Sequence, residues 1–233
     1  MNRGAALQVQ DLRFCFAGQQ QDLWTIPSLT LEAGQSVGLR GASGAGKTTL
    51  FHCLAGISTP TTGRIVWGDT DICSLTPNAL AEWRRKHLGL VFQDFHLIDG
   101  LSALDNVLLP AHFVGWRISS QVKVRAHDLL AAVGLKVPHR LASILSRGER
   151  QRVAFARALL QQPSIVMADE PTASLDPDHR WQLSELLVTL AREQGTTLVV
   201  ISHEHELLAR MDRCMELQSG RLHEIPNAVA SKL

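Results

Sequence analysis

Residues 36–54 read Ser36-Val37-Gly38-Leu39-Arg40-Gly41-Ala42-Ser43-Gly44-Ala45-Gly46-Lys47-Thr48-Thr49-Leu50-Phe51-His52-Cys53-Leu54. A short aliphatic run enters a glycine loop and leaves it as an apparent helix, Lys47 to Leu54. Residues Gly41 to Thr48 fit G-x-x-x-x-G-K-T, the P-loop. Its glycines let backbone N–H groups turn inward around phosphate oxygens, where a β-carbon would clash. The helix that follows adds its positive N-terminal end. The spacing assigns Gly41, Ala42, Ser43, Gly44, Ala45, Gly46, Lys47, Thr48 and Thr49 to phosphate binding. Lys47 is expected to reach the β- and γ-phosphates of ATP, and the Thr48 hydroxyl to hold Mg²⁺.

Working outward, three further aliphatic runs each end at a polar group. Leu88 to Phe92 ends at Gln93, Ser164 to Ala168 ends at Asp169-Glu170, and Thr197 to Ile201 ends at Ser202-His203. Short apolar runs bounded by turns, with helical patterns between them, indicate buried parallel strands in an α/β fold. Strands in a parallel sheet end along one edge, where ligands bind. The four runs therefore predict that a glycine loop, a Gln, an acidic pair and a His meet in one place.

Asp169 follows its strand as a Mg²⁺-anchoring Asp should, and the adjacent Glu170 is placed to orient and deprotonate an attacking water. Gln93 is a candidate for contact with the metal or the water, and His203 for a hydrogen bond to the γ-phosphate. From residue 95 to 162 helical periodicity dominates, over Ala126 to Val133 and Glu149 to Leu160. We read 95–162 as an inserted helical subdomain, and 1–94 with 163–233 as the nucleotide-binding core. The first 35 residues and Gly63 to Ile72 read as short antiparallel strands and turns.

With 233 residues and 45% hydrophobic content, the chain can bury a sizeable core. A net charge of +1 gives no electrostatic footprint for nucleic acid, and none is expected as a partner. Cys15, Cys53, Cys73 and Cys214 match no zinc spacing and read as small hydrophobes in a reducing compartment. No apolar run is long enough for a signal peptide or a membrane span. The final Ser231-Lys232-Leu233 matches a peroxisomal address, a weak signal beside the bacterial type of the rest.

One further motif narrows the class. Leu145-Ser146-Arg147-Gly148-Glu149-Arg150-Gln151-Arg152 opens a helix just before the Asp169 strand. Ser146 and Glu149 make an S-x-x-E capping box, which by itself marks only a helix start. The segment also resembles the L-S-G-G-Q/E signature of ABC ATPases. Asp169-Glu170-Pro171, Ser174-Leu175-Asp176 and His203 follow in that family's order. The resemblance implies a P-loop NTPase with a RecA-like core sheet, an antiparallel β-subdomain and an inserted helical subdomain. It implies an ATPase that uses ATP and Mg²⁺ and pairs head to tail as a homodimer. Ser146 and the Gly148 backbone would then contact the partner's γ-phosphate, and Asp176 would lie at the dimer interface. Phe16 stands roughly where the family stacks an aromatic ring on adenine. Arg147 departs from the pattern, which has Gly there; if that position needs a positive φ, a side chain is disfavoured.

A narrower resemblance runs from Arg84 through Gln93 to Ile98 and on to Leu101 and Asn106-Val107-Leu108-Leu109-Pro110. It is similar to the branch serving lipoprotein release, macrolide export and cell-division signalling (LolD-, MacB- and FtsE-like). It implies a groove near Gln93 to Ile98 for the coupling helix of an integral membrane permease, and a peripheral place on the cytoplasmic face of the inner (plasma) membrane. Phe95, Leu97 and Ile98 read equally as plain core. The function expected is an ATPase subunit energising a separate permease. An FtsE-like mechanotransmitter, driving a membrane protein without transport, is the alternative. A soluble ATPase of DNA repair or translation is disfavoured by the single copy of each motif and the lack of a heptad run.

Overall fold

Along the chain the elements are β1 (Leu7–Phe14), β2 (Trp24–Leu31), β3 (Ser36–Arg40), α1 (Lys47–Leu54), β4 (Thr62–Trp67), β5 (Thr70–Asp71), α2 (Pro77–His87) and β6 (Leu88–Val91). Then come α3 (Ala103–His112), α4 (Ser120–Ala132), α5 (Arg147–Leu159), β7 (Ile165–Asp169), α6 (Pro177–Glu193), β8 (Thr197–Ile201), α7 (His205–Leu208), β9 (Arg213–Gln218) and β10 (Arg221–Ile225). The structure is a computed structural model and describes residues 4–19, 21–113, 117–172 and 177–226, the side chains of 177–179 excepted. Ser174, Leu175 and Asp176, and the terminal Ser231-Lys232-Leu233, lie outside the described residues.

The four aliphatic runs lie side by side as parallel strands, in the order β3-β8-β7-β6. The sheet continues beyond them: β9 pairs parallel with β3, and β10 closes that side antiparallel to β9. Every residue of β7 and β8 is buried, because helices cover one face and further strands and helices the other. The period-two alternation sorts the side chains. Ile165 and Met167 point into a core with α1, Trp83 of α2 and the antiparallel strands, whereas Val166 and Ala168 point into a core with the helices of the other face.

The second sheet, in the order β2-β1-β4-β5, is antiparallel throughout, as the N-terminal pattern predicts. Trp24, Ile26, Ile65 and Trp67 pack it against the main sheet. Between β6 and β7 the chain leaves the main sheet and forms α3, α4 and α5, which pack on one another. One apolar cluster runs unbroken from these helices, through Val107, Leu130 and Phe155, to Val166 and Val200 of the sheet.

Local chemistry explains the helix starts. The Ser102, Ser119 and Ser146 side chains each accept a backbone N–H of the first turn of α3, α4 and α5. Capping by Ser119 starts α4 well ahead of the Ala126 that the periodicity marks. Among the described residues no helix is long and apolar enough to cross a membrane.

Candidate active site

At the carboxyl edge of β3, β6, β7 and β8 lies a cleft of about 360 Å³. Its walls are Ser43, Gly44, Gly46, Lys47, Thr48 and Thr49 from the loop, with Gln93, Asp169, Glu170 and His203 from the other strand ends, and Phe16, Leu23 and Ile201 around them. The four polar strand ends thus share one space. Leu23 and Ile201 carry no motif and could not be picked out from the sequence.

The loop is shaped by contacts that only glycine tolerates. Gly46 has φ 91°, and a β-carbon there would stand 2.7 Å from Leu23 Cδ2. A β-carbon on Gly41 would stand 2.4 Å from the Leu217 carbonyl oxygen. Gly41, Ala42 and Ala45 form the loop backbone: Lys47 Nζ donates to the Gly41 and Ala42 carbonyls at 2.8 and 2.9 Å, and Ala45 N to the Ala42 carbonyl at 3.2 Å. Lys47 is thereby nearly buried, with its ammonium turned back over the loop.

Across the cleft Thr48 Oγ1 donates to Asp169 Oδ2 at 3.2 Å. Burial pushes the Asp169 carboxyl above its usual range, against the Thr48 hydrogen bond and the nearby His52 and Lys47. A buried carboxylate and a hydroxyl, with the Gln93 amide on the same cleft wall, are an oxygen donor set suited to a hard, small divalent cation. The residues fit Mg²⁺.

Glu170 adopts a left-handed backbone, φ 46°, anchored by its N–H to the Ile201 carbonyl at 2.9 Å. A strained residue at the end of a buried strand aims its side chain into the cleft. Burial raises the Glu170 carboxyl above its ordinary value, while His203, whose Nε2 stands 3.4 Å from Glu170 Oε1, holds it back. A carboxylate of raised basicity beside an imidazole is equipped to take a proton from water.

Phe16 is half exposed and meets Phe14 edge-on at 5.2 Å between ring centroids; Phe14 in turn lies 5.6 Å from Trp24. The Cys15 thiol donates to the Gln19 and Gln21 carbonyls at 3.0 and 3.3 Å, tying the loop that carries Phe16. The ring presents an apolar face on the wall of the cleft.

Ser146 and Gly148 do not line this cleft. Ser146 Oγ accepts the Glu149 N–H at 3.2 Å, and the Ser146 N–H donates to Glu149 Oε2 at 2.8 Å, a complete capping box at the start of α5. Arg147 is the first residue of α5 and has no positive φ, so a side chain at this departure from the signature carries no backbone strain. Its guanidinium lies over the Phe95 ring, 5.6 Å from the centroid.

The segment after Gln93 divides its apolar residues. Phe95 and Leu97 are buried in the core, whereas Ile98 is exposed. The concave apolar surface nearby, about 520 Å³, is built instead from Leu88, Leu90, Phe92, Leu109, Pro110 and Phe113, with Arg85, His96 and Arg157 at its polar points. Phe113 is 77% exposed at its rim.

Residues 25–173 match the ABC transporter family, more than half of the chain. The chain is 40% identical to the lipoprotein-releasing system ATP-binding protein LolD of Idiomarina loihiensis over 196 residues, 83% of this chain and 85% of that protein. Its structure is similar to the ATP-binding cassette MJ0796, solved as a post-hydrolysis dimer bound to ADP and Pi, with a TM-score of 0.86, 30% identity, and 94% and 97% of the two chains covered. It is also similar to cbiO1 of Clostridium perfringens, part of the ABC transporter complex cbiONQ, with a TM-score of 0.85, 26% identity, and 97% and 90% covered.

Proposed function

The chain belongs to the ABC transporter family as an ATP-binding subunit that hydrolyses ATP to energise a membrane transporter, and on that premise we propose how its residues share the work. The supporting observation is the convergence in one cleft of Lys47, the Thr48–Asp169 pair and the Glu170–His203 pair. Lys47 and the loop N–H groups hold the β- and γ-phosphates, the ammonium exchanging its two loop carbonyls for phosphate oxygens. Thr48, Asp169 and Gln93 would hold Mg²⁺, which would supply positive charge to offset that of the phosphates. Glu170 orients the attacking water and accepts its proton as the water oxygen bonds to the γ-phosphorus and the bond to the β–γ bridging oxygen breaks. His203 hydrogen-bonds a γ-phosphate oxygen, and the Phe16 ring stacks on adenine.

A second copy packs head to tail in this reading. The Ser146 hydroxyl and the α5 N-terminus, with Gly148, then face the γ-phosphate held by the partner. The apolar groove flanked by Phe113 receives a helix of an integral membrane permease, which holds the subunit at the cytoplasmic face of the inner membrane. The likeness to LolD supports a partner of the lipoprotein-releasing kind.

Glu170→Gln tests the scheme. It should bind ATP, lower turnover by about a hundredfold or more, and accumulate an ATP-bound dimer. Extracted from membranes in Mg-ATP with mild detergent, it should bring a multi-spanning protein with it. Normal turnover would remove Glu170 as the base. Recovery of soluble protein or nucleic acid alone, under conditions where the dimer forms, would remove the permease.

A further inference from the structure

Phe95 and His96, two and three residues beyond Gln93, both have left-handed backbones, φ 59° and 46°. They are the only adjacent pair of non-glycine residues in that region among the described residues. L side chains disfavour this conformation, so something must hold it. The holder is α5. Arg157 donates through Nη1 to the His96 carbonyl at 2.7 Å and through Nη2 to the Phe95 carbonyl. The planar fork fits two successive carbonyls, and a lysine ammonium would not. At the other end of the helix Arg147 covers the Phe95 ring, and between them Arg150 bonds Asp99 Oδ1 at 2.7 Å. Three arginines of one helix thus grip residues 95–99.

Gln93 itself is exposed on the cleft wall, and among the described residues its side chain has no hydrogen-bond partner. Its position is therefore set by the backbone on its two sides, β6 paired with β7 before it and the left-handed turn after it. We propose that Arg147 and Arg157 are positioning residues for Gln93, locking the β6 exit to α5. The Gln93 placed in a chain's own cleft and the α5 N-terminus offered to a second copy then move as one body. The arginine that replaces the signature glycine would serve this link. The inference rests on the ATPase reading above.

Amide hydrogen exchange and steady-state ATPase on the full chain test it separately. Arg147→Gly and Arg157→Lys should each speed exchange at residues 94–98 about tenfold while leaving α1 unchanged. Exchange at wild-type rates in both variants overturns the clamp, whatever the activity. Arg147→Gly and Phe95→Leu should each lower kcat roughly two- to fivefold, the range of one cation–π contact made by an exposed arginine. KM for ATP should shift less than about twofold. The double variant should be no slower than the slower single one, and Arg147→Lys should recover most of the rate. Multiplicative losses, or a wild-type kcat in Arg147→Gly, overturn the positioning role. A wild-type protein without turnover would instead defeat the ATPase reading, and exchange would still judge the clamp.

Discussion

The cleft at the strand ends and the groove beside β6 are neighbours built on opposite terms. The cleft holds its charged groups in pairs: Lys47 on loop carbonyls, Thr48 on Asp169, His203 beside Glu170. Each group is held by a strand end or loop and faces its partner within the cleft. The groove has an apolar floor, with Arg85, His96 and Arg157 at its edges and Phe113 exposed at its rim. Chemistry needs fixed dipoles at set distances, and docking needs only complementary apolar area. On the proposed reading, the first kind of surface sets rate and the second sets association.

Removing the cleft's cation should have the largest effect. Lys47→Ala should cut ATP turnover about a thousandfold, since one lost phosphate-stabilising donor commonly costs ~10²–10³. Retained activity would dissolve the distinction between the two regions.

His203→Ala should lower kcat about a hundredfold and move the pH profile. Burial already raises the Glu170 carboxyl, and His203 opposes that rise. Without the imidazole, the carboxyl should take up its proton at higher pH. The acid limb of kcat against pH should then shift to higher pH, so activity is lost more steeply at pH 6 than at pH 8. An unmoved limb would mean that the profile does not report Glu170.

Phe113→Asp addresses the other region. Desolvating a carboxylate where an apolar ring is buried should weaken detergent-stable association with the membrane partner by about thirtyfold or more, a ~2 kcal/mol anchor. ATP turnover of the isolated chain should stay as it was. If turnover falls as association does, the groove and the cleft are not separable.

The smallest effect is expected at the rim of the cleft. Phe16→Ala should raise KM for ATP about two- to tenfold with kcat little changed, because ring stacking of ~0.5–1.5 kcal/mol serves ground and transition state alike.

Much of the main sheet is legible from the chain. β3, β6, β7 and β8 agree with the four aliphatic runs to within a residue or so, because strands buried on both faces must be continuously apolar. β9 escapes that criterion: it carries Arg213 and Glu216 among its apolar residues, and it is a strand because β3 and β10 pair with it. α2, capped by Thr76 with Pro77 in its first turn, is not read from the sequence: its charged Arg84-Arg85-Lys86-His87 end hides its single buried residue, Trp83. The segment after Gln93 does not disclose which of its apolar residues reach the surface. Hydrophobicity treats Phe95, Leu97 and Ile98 alike, and packing buries the first two and exposes the third.

By itself the sequence determined the phosphate loop, the acidic pair and the capping box of α5. Their chemistry lies in contiguous residues whose backbone needs and donors are local. The four aliphatic runs also predicted that Gln93 and His203 would meet Lys47 at one sheet edge, and the tertiary structure added Leu23 and Ile201 to the walls of that cleft. It also decided that Ser146 and Gly148 stand away from that cleft, and that Arg147 covers Phe95 without backbone strain. Those relations join residues far apart in the chain, through sheet register and helix packing, and no local pattern of residues carries that information.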